Sequence, residues 1–136
     1  MGPAVNAAAA LIDAWSAKDP ESVAALLRDD VRVAGPLAPG GLITGITGVR
    51  RYLAAQNGSG LDGLPPEQHD QHRAMAASTA HIRRIVATEQ SAAVEATLSR
   101  SDGGQTMDVA IFVDVESSTN RITEVSIYFK AVSDSP

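Results

Sequence analysis

Three groupings of residues in this 136-residue chain have types and spacing that suit chemistry. His69 and His72 stand three apart with Asp70 between them, which places two imidazoles on one helical turn as two metal ligands would be. The zinc-protease glutamate is missing and no third ligand can be assigned, so a polar loop face is the better reading and no metal is expected. The stretch PGGLITGITGVRRYL, from Pro39 to Leu53, packs glycines as a phosphate-cradling loop does. It has neither the Gly-x-Gly-x-x-Gly spacing nor a P-loop lysine, so its glycines read as turns: Gly45 reverses the chain and Thr47 caps a helix. No cofactor is expected. Among the carboxylates, Glu89 and Glu95 suggest an acid pair, but alternation turns Glu95 away from Val94 and Ala96 towards an outer face. Asp108 lies in an apolar strand near the Gly103-Gly104 turn; a solvated rim position is favoured over a catalytic one, and it remains the candidate acid. His81 reads as a satisfied strand-edge histidine, and Ser59 lacks a nucleophile elbow around it.

The formal net charge is -5, and the cations are scattered rather than striped, which argues against nucleic acid and anionic membrane surfaces as partners. There is no cysteine, so thiolate chemistry and disulfides are excluded. No apolar run approaches the ~20 residues of a membrane span, and no basic leader precedes the first helix, so a cytoplasmic protein is expected. Aromatic residues make up only 4% of the chain, so any cavity must be lined mainly by small aliphatic groups.

The elements that would position these residues follow from periodicity. Val5, Ala8, Ala9, Ile12 and Trp15 recur at helical spacing from Pro3 to Lys18. Asp19-Pro20 opens a second helix burying Val23, Leu26 and Leu27, ended by Asp29-Asp30; Val31–Ala34 is a short strand. Gly35–Gly41 is a loop, and a third helix carries Val49, Tyr52 and Leu53 on its apolar face and stops at Asn57-Gly58. From about Ser78 the period becomes two, giving strands over Thr79–Thr88, Ala92–Arg100, Gln105–Glu116 and Ile122–Val132. Helices first and a meander last predict an α+β fold, in one domain over residues 1–136, with the helices on one face of a curved sheet.

The segments AWSAKDPESVAALLRDDVRVAGP, GLITGITGVRRYL and NRITEVSIYF, in that order and spacing, resemble the nuclear-transport-factor-2-like superfamily, in particular its SnoaL-like polyketide cyclase branch. The resemblance implies a cone-shaped α+β barrel: a strongly bent antiparallel sheet wrapped around three helices, a deep apolar pocket, and dimerisation through the sheet. By that resemblance the pocket sides are Ala92, Val94, Ala96 and Leu98 on one strand, Asp108, Ala110 and Phe112 on the next, and Val125, Ile127 and Phe129 on the last, joined by Leu11 and Met75. Trp15 offers an indole N–H and is the second catalytic candidate.

The acid and base positions of the ketosteroid isomerases in this superfamily correspond to Leu11, Gly35 and Phe112, and those of its epoxide hydrolases to Ala96, Leu98 and Ile127. None of these residues can move a proton or hold an oxyanion through its side chain. The expected activity is therefore a cofactor-free cyclase or isomerase that closes or rearranges a ring of a lipophilic, polyketide-like substrate, mainly by positioning it. The alternative is a non-catalytic binder of lipophiles or a dimeric accessory protein of the same fold. A homodimer is expected, with Met107, Val109, Ile111 and Val113 on the outer face.

Overall fold

The computed structural model describes residues 2–35, 41–56, 78–100 and 106–129. Helix α1, Pro3–Ser16, starts on a proline that has no N–H to satisfy and buries Ala4, Ala7, Ala8 and Ile12 along one stripe. It ends two residues short of the predicted Lys18 in a Schellman turn. The Lys18 N–H donates to the Trp15 carbonyl at 3.0 Å and the Asp19 N–H to the Ala14 carbonyl at 3.1 Å. Glycine usually holds the left-handed position of this turn, yet here it is Lys18, with φ 58°, at a cost of roughly 1 kcal/mol.

Asp19 then caps α2, Pro20–Ala25, accepting from the Ser22 N–H at 3.2 Å and the Ser22 hydroxyl at 2.6 Å. That helix is shorter than expected, because Leu27 is not on its apolar face. Leu27 opens β1, Leu27–Ala34, and is paired with Ile122.

The six strands lie in the order β2-β1-β6-β5-β4-β3. Strands β3 (Ser78–Ala87), β4 (Ser91–Arg100), β5 (Met107–Val115) and β6 (Ile122–Phe129) form the predicted antiparallel meander. The sheet is not wholly antiparallel, because β1 runs parallel to β6. A three-residue strand β2, Leu42–Thr44, returns against β1 where the sequence reads only a turn-rich loop. Gly45, with φ 84°, then turns the chain into α3, Ile46–Gln56, so Thr47 sits inside the first turn rather than capping it. Bulges bend the sheet: the register shifts between Leu27 and Arg32 on β1 and between Ile82 and Arg84 on β3. The helices pack into the resulting concavity, α1 against β3, β4 and β5, and α3 against β1 and β2.

Cross-strand pairs share a face, so the register decides which side of β5 is inside. Val109 lies opposite Ala96 and Phe129, Ile111 opposite Val94 and Ile127, and Val113 opposite Ala92 and Val125. These residues form the concave face. Asp108, Ala110 and Phe112 therefore point to the convex face, as the reverse of the expectation. A shift of one residue in phase exchanges the two faces of a strand, and the resemblance places β5 one residue out.

An exposed tie joins the start of β1 to the β5–β6 turn. Arg28 donates from Nη1 to Glu116 at 2.6 Å and from Nε and Nη2 to Asp30. Glu116 also accepts from the hydroxyls of Ser118 and Thr119. Hydrogen bonds from Arg28 hold the carboxyls of both Glu116 and Asp30 below their ordinary range. A depressed carboxyl contributes stability that is present above its unfolded pKa, about 4, and is lost as pH falls through the folded value. Arg28→Met is thus expected to lower stability at neutral pH and to flatten its fall on acidification below about pH 5, read from urea midpoints against pH.

Candidate functional site

Between the helices and the concave face lies a cavity of about 110 Å³. Helix α1 contributes Leu11, Ile12 and Trp15, and α2 contributes Val23. One side is formed by Leu27, Val33 and Gly35 together with Ile43, and Val49, Tyr52 and Leu53 of α3 cover it. The floor is the sheet: Ala80, Leu98, Val109, Ile111, Val125, Ile127 and Phe129. The period of α3 places Val49, Tyr52 and Leu53 on one side, and alternation along β6 does the same for Val125, Ile127 and Phe129.

Of the residues predicted from sequence, Leu11, Trp15, Leu98, Val125, Ile127 and Phe129 are brought together in this wall. Ala92, Val94 and Ala96 share the concave face but are packed in the core away from the cavity. Met75 lies outside the described residues, as do Ser59, His69 and His72.

Three candidates must be corrected. Ala110 and Phe112 are on the convex face, where Phe112 is 47% exposed and meets Tyr128 edge to face at 5.7 Å. Asp108 is there too, accepting from the Thr97 hydroxyl at 3.3 Å and standing 3.7 Å from Arg83. Because β5 is phased by Val109 and Ile111, the Asp108 carboxylate cannot reach the cavity through the sheet. Glu95 is on the convex face as expected, paired with Arg83 and Arg84, and His81 is exposed beside it, opposite Thr97. Among the described residues no group of His, Asp or Glu could hold a metal ion.

Among the cavity residues that sequence reading missed are Val33, Ile43, Val49, Tyr52, Leu53, Ala80, Val109 and Ile111. Tyr52 matters most, and its position beside Val49 and Leu53 on the apolar stripe of α3 was the available signal. Its phenol and the Trp15 indole are the two polar side chains among the described wall residues. Each carries one neutral hydrogen-bond donor, the phenol O–H and the indole N–H. Of the three positions matched to the isomerase pattern, two reach the wall. Leu11 and Gly35 line the wall, and on β5 the inward residue is Ile111 rather than Phe112. Among the described lining residues there is no carboxylate or imidazole to serve as a base. What such a chamber can do is exclude water, fix a conformation and supply one or two neutral donors.

No helix among the described residues is long and apolar enough to cross a membrane. No curated protein matches the chain in sequence. Solved structures do share its fold. TerC, co-crystallised with polyporic acid, is 17% identical over 95% of this chain and 92% of its own, with a TM-score of 0.71. A Kribbella flavida protein with a proposed ketosteroid isomerase activity is 21% identical over 98% of this chain and 82% of its own, at a TM-score of 0.70. An NTF2-like protein of unknown function from Burkholderia xenovorans is 16% identical over 98% and 88%, at 0.69. The α+β fold, with helices against a curved sheet, is thus a recurring architecture, and the family model of the SnoaL-like domain matches residues 8–125. The chain belongs to the SnoaL-like domain family.

Proposed function

We propose that this chain, as one domain, is a small-molecule cyclase or isomerase that closes or rearranges a ring of a lipophilic, polyketide-like substrate, chiefly by holding it in a reactive conformation. One observation carries this reading: the described cavity wall is hydrocarbon apart from Trp15 and Tyr52. A pericyclic ring closure moves no proton and needs no external base, and restricting a flexible substrate to one conformer lowers its barrier by several kcal/mol, up to about 10 in the most favourable cases. A donor to a carbonyl or ether oxygen would add to this without placing a charge in a water-poor chamber. The SnoaL-like family and the fold shared with TerC support a small organic substrate.

The test is a screen of linear and monocyclic polyketide-type ketones, read by native mass spectrometry for binding and by product analysis for turnover. Trp15→Phe and Tyr52→Phe are expected to lower turnover by less than about a hundredfold each, the lower bound for a lost oxyanion-hole donor. If Tyr52→Phe abolished turnover with binding intact, acid catalysis would replace positioning as the mechanism.

The same reading includes a homodimer through the convex face of the sheet. Its support is the exposed apolar side chains of that face, Phe112 and Tyr128 on β5 and β6 and Val86 on the edge strand β3, of which Val86 is 62% and Tyr128 60% exposed.

A further inference from the structure

Lys18 occupies the left-handed position of the Schellman turn that glycine fills most readily, and its side chain makes contacts the turn itself does not require. Contacts with two described residues hold it. The ammonium nitrogen lies 3.8 Å from the centroid of the Trp15 ring and donates at 2.6 Å to the carbonyl of Ser78. Ser78 is buried and is the first residue of β3, the last strand in the sheet order. Two residues earlier, the Ser16 hydroxyl accepts from the N–H of Ala80 at 3.2 Å. Side chains from the end of α1 thus meet backbone groups at the start of this edge strand. Both neighbours of the tie, Trp15 and Ala80, are cavity wall.

We propose that Lys18 is a positioning residue of the cavity: its ammonium group fixes the Trp15 ring and the start of β3, so that the wall between α1 and β3 is preformed for a ligand. A cation over an aromatic face restrains the ring's rotation as well as attracting it. A wall already ordered spares the ligand the cost of ordering it. Burial at this seam lowers the Lys18 pKa from its ordinary value, in keeping with an ammonium partly removed from water. The inference rests on the ligand-binding reading above, and its decisive readout is independent of any ligand.

The chain has a single tryptophan, so intrinsic fluorescence reports on Trp15 alone. Lys18→Gly keeps the turn, since glycine takes positive φ without strain, while deleting the ammonium; Lys18→Met deletes the charge but keeps a long stem; Lys18→Arg keeps a cation. Acrylamide quenching of Trp15 in the ligand-free protein is expected to rise about twofold in the glycine and methionine variants and to return towards wild type in the arginine variant, the scale of a single cation–π contact. With indanone, a neutral aromatic ketone, as probe, the dissociation constant is expected to rise about fivefold in the first two variants. Unchanged quenching in both Lys18→Gly and Lys18→Met would overturn the proposal. Altered quenching with no indanone binding even by the wild type would leave the tie in place and count against the ligand reading instead. Should one variant fail to fold, the other still decides the matter.

Discussion

Ile111→Asp is expected to lower the unfolding free energy by about 3 kcal/mol at pH 7, whereas Phe112→Asp, one residue on, is expected to cost under about 1.5 kcal/mol. The contrast follows from the phase of β5. Ile111 looks into the cavity between Val94 and Ile127, and its replacement removes a packed side chain and sets a carboxyl among hydrocarbon. Desolvation would raise the folded pKa of the introduced carboxyl above the ~4 of the unfolded chain. The folded state would then keep a proton that the unfolded state has already released, so stability would fall as pH rises through that window. The deficit of Ile111→Asp should accordingly shrink between pH 7 and pH 5 in urea titrations.

Phe112, by contrast, gives up an edge-to-face contact with Tyr128 on an exposed surface, and the carboxylate that replaces it stays in water. Its expected effect is on association: a charge on the convex face should shift the proposed dimer towards monomer in sedimentation velocity, while Ile111→Asp alters folding first. If Phe112→Asp proved the more damaging to stability, the sheet would be phased as the resemblance suggested and Asp108 would return as the acid.

That pair of residues also shows what the sequence could and could not reveal. The helices, the Asp19-Pro20 cap and the meander are legible because local periodicity and turn chemistry specify them. On β6 the alternation is unambiguous, since Val125, Ile127 and Phe129 oppose Glu124, Ser126 and Tyr128. On β5 both faces carry apolar residues: Val109, Ile111 and Val113 on one, Ala110 and Phe112 on the other. The first set is the more consistently apolar and is the buried one. Anchoring the strand on family positions rather than on that pattern inverts it.

Two other differences have a similar origin. Leu27 fits the helical period of α2 as well as it fits a strand, and only its pairing with Ile122, remote in sequence, decides between them. Strand β2 is three residues long and rests on pairing with β1, for which a local pattern holds no signal. Tyr52 was recognised as part of an apolar stripe, but its polar end acquires a meaning only once the stripe is seen to roof a cavity. In either phase the β5 residue that faces inward is hydrocarbon, because Ile111 is as inert as Phe112. The chemistry of the wall was thus more legible than its geometry.

Filling the cavity should have the largest functional effect. Ala80 lies on the concave side of β3 opposite Leu98, with its methyl in the wall, so Ala80→Phe directs a benzyl group into the chamber. A hydrocarbon-lined cavity of about 150 Å³ takes one benzene ring, so a phenyl ring attached to the wall would occupy most of the roughly 110 Å³ available here. The ring would replace the ligand rather than pack beside it. Binding of indanone, and turnover of any substrate found in the screen, should fall at least about a hundredfold, the equivalent of losing some 2.7 kcal/mol of binding. Folding should suffer much less, because the ring enters existing space rather than a filled core, where overpacking costs about 1–3 kcal/mol. Ala96→Phe supplies the comparison. Ala96 is fully buried and does not line the cavity, so the same change there should destabilise the fold directly. Loss of binding in Ala80→Phe with a melting temperature near that of the wild type would place the ligand in this chamber. Undiminished binding by a folded Ala80→Phe protein would move the site elsewhere and end the positioning mechanism with it.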